Sequence, residues 1–325
     1  MSVDRFPATE LSGPRRAAGL WAALLTSCLL AVSLAGAAEK GPVTGTGVLD
    51  QVRMGYSTGL LVDVSLADAE AALTLWARAF APTAGFSEAS TAVIYEDLGE
   101  MAARLRARAL DFVALNSLDY LRIRGDTPLE PALMSLKGGK PGDRQLLLVH
   151  RESGLRTLAE LRGKNLALSR SGDDLALLWL DTVLAREGLP RALDFVSVAR
   201  RGTRASGVLL PVFFRKTDAC VVNANAYATA VELNPQLGRD LTVLERSAEF
   251  PLGIMCVRPG LDPERRKRIL AAVFQFLATP TGRQVLTLFK TEEVARYQSG
   301  ILDGLEGLLW EHEALAPVAK AKGER

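Results

Sequence analysis

Short apolar segments alternate with longer amphipathic ones from about residue 48 nearly to the end of the chain, and this constrains the fold more than any other feature. Apolar runs at Val48–Tyr56, Ala92–Tyr95, Phe112–Leu115, Gln145–His150, Leu166–Leu168, Phe195–Val198, Asp218–Val222, Leu241–Leu244 and Leu252–Val257 read as strands. Helical spacing marks Ser65–Ala81, Asp97–Ala109, Thr157–Leu161, Asp173–Glu187, Thr203–Phe214 with a kink at Pro211, and a segment ending near Leu233. Asp262–Leu277, Thr281–Phe289 and Ile301–Ala314 complete the helices. Strands alternating with helices predict a parallel, doubly wound α/β sheet, and so many units predict two of them.

Composition narrows the function classes. A net charge of +2 over 325 residues supplies no bulk attraction for nucleic acid. The basic runs Arg200-Arg201 and Arg265-Arg266-Lys267-Arg268 lack interleaved aromatics and read as solvated surface. Two histidines, His150 and His312, argue against a multi-histidine metal centre; His150 reads as structural or surface, His312 as part of a solvated face. Cys28, Cys220 and Cys256 are too scattered for a disulfide framework, and the latter two sit in strand-like runs that favour buried thiols. The sequence contains no G-x-S-x-G, Walker, G-x-G-x-x-G or H-E-x-x-H motif, and nothing in it signals catalysis or a cofactor.

The N-terminus reads as an address. Arg15-Arg16 precedes an apolar run from Ala17 to Ala35, followed by Ala35-Gly36-Ala37, which is the pattern of a secretory signal peptide over residues 1–37. An uncleaved anchor and a lipoprotein at Cys28 are the lesser readings, and the paired arginines hint weakly at twin-arginine export. Residues 38–47 follow as a flexible leader, and the mature protein is expected outside the cytoplasm, which the resemblance described below makes the periplasm.

Four strands end in small polar residues: Ser57-Thr58, Asn116-Ser117, Ser169-Arg170-Ser171 and Asn223 with Asn225. In open α/β sheets ligands lie off the carboxyl ends of strands, where helix N-terminal N–H groups attract anions. Each of these residues taken singly is an ordinary helix cap. The four sets together make an anion pocket an equally good reading.

The segment Val149-His150-Arg151-Glu152-Ser153-Gly154-Leu155-Arg156-Thr157-Leu158-Ala159-Glu160-Leu161-Arg162-Gly163-Lys164 resembles the "V-x-K-D-S-G-I-K-S-L-x-D-L-K-G-K" stretch of periplasmic solute-binding proteins. Leu110–Leu115, Thr217–Val222 and the T-P-x-G-R motif at Thr279–Arg283 add to the likeness, which covers about residues 50–310 and is nearest to phosphate/phosphite/phosphonate-type components of ABC transporters. The resemblance implies a type II periplasmic binding protein: two doubly wound α/β lobes joined by two crossing strands, near Leu146–His150 and Leu252–Val257. Lobe one would be residues 48–147 and 254–325, and lobe two residues 148–253. It further implies ligand contacts from Ser57, Thr58, Asn116, Ser117 and Tyr120 in lobe one, and from Ser169, Arg170, Ser171, Asn223 and Asn225 in lobe two. Arg170 stands where the family's "S-T-S-G" has a threonine, and Asn223 where aminophosphonate binders carry an acid. The neutral Asn223 argues against an aminophosphonate and leaves phosphate, phosphite, another small oxyanion or an unrelated ligand open. The implied partner is an ABC permease serving a monomeric, non-catalytic protein. A sensor module docking on a membrane receptor is the alternative, and a biosynthetic enzyme on the same fold ranks third.

Overall fold

The computed structural model describes residues 50–61, 64–83, 85–169, 173–202 and 204–323. The expected signal peptide, leader and Cys28 lie outside the described residues. β1 (Arg53–Ser57) passes through a 3-10 turn at Thr58–Leu60 into α1 (Leu66–Thr83), β2 (Thr91–Tyr95), α2 (Leu98–Arg106), β3 (Phe112–Asn116), α3 (Ser117–Ile123) and β4 (Glu130–Leu136). The chain leaves this first lobe through β5 (Gly142–Asp143). The second lobe holds β6 (Gln145–His150), β7 (Asn165–Ser169), α4 (Asp173–Arg186), α5 (Ala192–Phe195), β8 (Val198–Gly202), α6 (Ala205–Phe213), β9 (Ala219–Asn223), α7 (Ala224–Leu233), α8 (Pro235–Asp240) and β10 (Leu241–Arg246). The return runs through β11 (Phe250–Pro251) to β12 (Gly253–Val257), α9 (Pro263–Leu277), α10 (Pro280–Leu288), β13 (Glu293–Arg296) and α11 (Asp303–Gly323).

Lobe one is built on the sheet β13-β4-β12-β3-β1-β2 and lobe two on β10-β6-β9-β7-β8, while β5 and β11 pair antiparallel between them. The two connecting segments are therefore Gly142–Asp143 and Phe250–Pro251, a few residues before the positions expected. Each sheet is mixed rather than wholly parallel. β2, β1 and β3 run parallel, as do β8, β7 and β9, but β12 and β6 lie antiparallel to β3 and β9. These two strands are entered directly from the connecting pair, so no crossover helix turns them round. β3 and β9, covered on both faces, carry unbroken buried runs, Phe112–Leu115 and Ala219–Val222.

Within the two larger sheets, three strands escape the sequence pattern or shift from it. β8 begins at Val198, and Phe195, expected to open that strand, instead closes the short helix α5 with its ring buried. β8 and β13 are edge strands, paired on one side, and need no apolar run to announce them. β4 contains Pro131, which argues against a strand. Its partner β12 accommodates it by a register shift: Met255 pairs with Leu133 and Cys256 with Pro131, leaving Ala132 bulged.

Helix starts follow from side-chain capping. Asp97, Asp262 and Thr279 accept the N–H of Gly99 (2.7 Å), Arg265 (2.8 Å) and Gly282 (3.0 Å), so the boundaries of α2, α9 and α10 sit where these residues stand. His150 is buried and its Nδ1 accepts the Glu152 N–H at 3.1 Å. Lobe one packs α1, α9 and α10 on one face of its sheet through Phe80, Ile269 and Phe276, and α2 and α3 on the other through Met101, Leu105 and Ile123. Lobe two packs α6 and α8 on one face and α4 on the other.

The last helix departs from the expected division. Leu305 and Leu308 of α11 bury against Trp179 and Leu180 of α4, so the end of the chain covers lobe two rather than lobe one. His312 is accordingly not on a solvated face, for its Nδ1 lies 3.3 Å from the Thr182 hydroxyl on α4. Cys220 and Cys256 are buried free thiols, one in each lobe. Burial pushes the Cys220 thiol up to about 12.

Candidate functional site

The carboxyl ends of β1, β3 and β9 and the connecting pair meet around one cavity of about 370 Å³, lined from both lobes. Lobe one contributes Gly59, Leu60, Ser135 and Lys137, lobe two contributes Ala205, Asn223, Ala226 and Thr229, and the connecting strand contributes Asp143. Two helix N-termini point there. Asn223 caps α7 by accepting the Ala226 N–H at 2.8 Å, and Ala205 opens α6, whose N-cap Arg204 makes no side-chain cap. Uncapped first-turn N–H groups and the helix dipole favour an anion at such a place.

The side chains expected at the site divide into several groups. Asn116 and Asn223 each spend the carboxamide oxygen on a cap, on Asp119 N–H at 2.7 Å and Ala226 N–H at 2.8 Å, which leaves the NH₂ of each to donate. Thr58 opens the 3-10 turn after β1, beside Gly59 of the lining. Ser57 is buried, close enough to the Asp119 carboxyl to stabilise its anion though not in a well-formed hydrogen bond. Ser117 donates its hydroxyl to the Pro251 carbonyl, tying lobe one to the connecting strand. Tyr120 is buried in the core between α3 and the sheet, with the Arg124 guanidinium 5.9 Å from its ring centre. Asn225 donates its backbone N–H to both Asp143 oxygens at 3.3 Å and so holds the connecting strand. The side chain of Ser169, with Arg170 and Ser171, lies outside the described residues.

Lys137 and Asp143 were not among the expected residues. Both belong to the stretch Lys137-Gly138-Gly139-Lys140-Pro141-Gly142-Asp143, where Gly138 and Gly139 take φ of +57° and +70° and Lys137 bridges to Lys140. Its density of glycine and proline marks a turn in the sequence. Which of its charges faces the cleft depends on how that turn folds back.

Gly59 has a steric role here. A Cβ at this position would collide with the Asn116 amide and the Asp119 carboxyl, so only glycine lets the β1 turn lie against α3. Arg122 on α3 reaches Asp174 on α4 at 2.6 Å, an exposed ion pair from one lobe to the other. Such a pair contributes about 0–1 kcal/mol, enough to bias the lobes toward each other without locking them.

Two carboxyls at this site are held above the usual range. Burial raises Asp119, against the opposing pull of Ser57 and Arg122. Burial likewise raises Asp143, outweighing the N–H groups of Arg144 and Asn225 and the nearby Lys137 ammonium. The folded protein therefore holds the Asp143 proton to higher pH than the unfolded chain does. Its contribution is fully present below the ordinary carboxylate range and is lost as pH rises through the raised value. Asp143→Asn, which cannot ionise, is expected to raise the melting temperature at about pH 7 and to leave it unchanged near pH 3, where the carboxyl of the parent is protonated as well. A gain of equal size at both pH values would mean that packing, and not ionisation, is responsible.

The profile of a family described as "ABC transporter, phosphonate, periplasmic substrate-binding protein" matches residues 87–298. Among solved structures, a Xanthomonas citri protein bound to ATP superposes with a TM-score of 0.61 at 19% identity, covering 82% of this chain and 98% of its own. The PhnD1 protein of Prochlorococcus marinus, in complex with methylphosphonate, gives 0.58 at 12% identity, with 81% and 98% covered. A binding protein component of an ABC phosphonate transporter from Pseudomonas aeruginosa gives 0.55 at 14% identity, with 85% and 99% covered.

Proposed function

The chain belongs to the phosphonate-type periplasmic substrate-binding proteins of ABC transporters, and from this premise we propose that it captures a phosphonate or closely related oxyanion between its lobes and delivers it to a membrane permease. The observation that carries this reading is the two-sided cavity, lined by Lys137 from lobe one and by the helix N-termini at Ala205 and Asn223 from lobe two. A ligand bridging the two favours the closed arrangement because it gains contacts there that the open one lacks. Hinge motion about β5 and β11 then couples capture to release.

Within the cleft, Thr58 and the free amides of Asn116 and Asn223 donate to the anion, with Ser57 supporting the Asp119 carboxyl beside them. Ser169, Arg170 and Ser171, which precede α4 in the chain, would add donors and a cation. The protein is exported through a signal peptide over residues 1–37, acts as a monomer, and turns nothing over.

Calorimetry with methylphosphonate, phosphite, phosphate and sulfate tests the reading. One-to-one binding of a phosphorus oxyanion is expected, and no heat with any of the four overturns it. Lys137→Ala is expected to weaken that binding by about 10–100-fold, the usual worth of a charged hydrogen bond. Lys140→Ala, on the exposed tip of the same turn, serves as the control and should bind as the parent does.

A further inference from the structure

The cavity does not stop at the cleft. Beyond Gly59 and Gly253 it continues into lobe one, between the sheet and the helices α1, α9 and α10, where Leu73, Trp76, Phe80, Phe112, Val273 and Phe276 form its walls. Protein interiors leave few voids larger than a water molecule. An engineered apolar cavity of about 150 Å³ stays dry and takes up benzene; cleft and chamber together measure about 370 Å³ here, more than twice that size.

Aromatic contacts join the elements that form the walls. Phe80 of α1 meets Phe276 of α9 edge-on, with centres 5.8 Å apart, and Tyr56 of β1 stacks on Phe289 at 5.4 Å and 6°. Met255 on β12 and Tyr56 on β1 keep accessible surface although they sit on interior strands whose neighbouring residues are buried. That surface faces the chamber. Among the described residues the Tyr56 hydroxyl meets only the Met54 thioether, at 3.9 Å, which is a weak acceptor, and burial pushes the phenol up to about 12. A water needs two to four polar partners, which Leu73, Phe80, Phe112, Val273 and Phe276 do not offer, although Lys290 and Thr291 line the cavity beyond them. A phosphate, phosphite or methylphosphonate would leave the chamber unfilled.

We infer that the ligand is an amphiphile, with an oxyanion head in the cleft and an unbranched alkyl chain of several carbons in the lobe-one chamber. The head rests on the function proposed above; the tail rests on the chamber alone. Each methylene transferred from water into the chamber is expected to tighten binding by about fourfold, until the chamber is full.

The test is calorimetry of the purified protein with methyl-, butyl-, hexyl- and octylphosphonate, and with octyl sulfate and octanoate. Affinity climbing with chain length supports the inference. Equal affinity from methyl to octyl overturns the tail while the capture of phosphonate stands. Binding of octyl sulfate or octanoate, with every phosphonate silent, keeps the tail and overturns the phosphonate head. Silence from the whole set overturns both. Ala77→Phe, which sends a ring from α1 into the chamber, should flatten the dependence on chain length. Val285→Phe makes the same test from α10 if Ala77→Phe does not fold. A slope unchanged in a folded variant would overturn the placement of the tail.

Discussion

Asp111→Ala is expected to destabilise the protein by about 3–5 kcal/mol, the usual loss when one partner of a buried ion pair is removed. Asp111 is 1% exposed and lies just before β3. Its Oδ2 accepts the Arg53 backbone N–H at 3.1 Å, the Arg53 Nε–H at 3.4 Å and an Arg265 Nη2–H at 3.2 Å, while Arg258 lies 3.6 Å from Oδ1. The side chains of Arg258 and Arg265 are only 15% and 16% exposed. Among the described residues, Arg258 Nε has no hydrogen-bond partner even with Asp111 in place. Without the carboxylate, these guanidinium groups stay close together in a poorly solvated place with less to neutralise them. Urea unfolding reads the change. A loss below about 1 kcal/mol would show that the arginines swing to solvent at little cost. Asp111 precedes the start of β3 and Asn116 ends it, so ligand affinity should be unaffected.

Gly282→Ala is expected to cost about 2–3 kcal/mol, at the upper end of what overpacking usually does. Gly282 stands in the first turn of α10, where a Cβ would run into the Phe276 carbonyl and lie 2.6 Å from the Leu277 Cα. Both are backbone atoms of the last turn of α9, so no side-chain rotation relieves the contact. The two helices would have to separate, and with them the Phe80–Phe276 contact. At about 2–4 °C per kcal/mol for a chain of this order of size, the melting temperature should fall by roughly 5–10 °C. Gly307→Ala is the contrast. It lies inside α11 with nothing within 4 Å of its would-be Cβ. There alanine should add about 0.5–1 kcal/mol through helix propensity. If both substitutions behaved alike, the close approach of α9 and α10 would not be the reason for Gly282.

The T-P-x-G-R motif was legible before the fold was, but its reason was not. Thr279 caps α10, Pro280 occupies the first helical position where its missing N–H costs nothing, and Gly282 meets α9. The first two are local and can be read from residue type. The third depends on where a neighbouring helix ends. Likewise Asn116 and Asn223 were identifiable as strand-end polar residues because capping is local, whereas Ser117 and Tyr120, in the same short stretch, proved committed to Pro251 and to the core. Only the direction of α3 separates them.

The residues alone carried the α/β class, most element positions and the family, since hydrophobic period, caps and turn residues act over a few neighbours. It also carried the two-lobed plan, because the alternation is too long for a single sheet. The tertiary structure decided the rest: the antiparallel insertion of β12 and β6, the seat of α11 on lobe two, Lys137 and Asp143 at the cleft, and the apolar chamber behind it. All of these rest on contacts between residues far apart in the chain. A chamber above all cannot be read from apolar spacing, because the residues that line a void have the same pattern as those that fill a core.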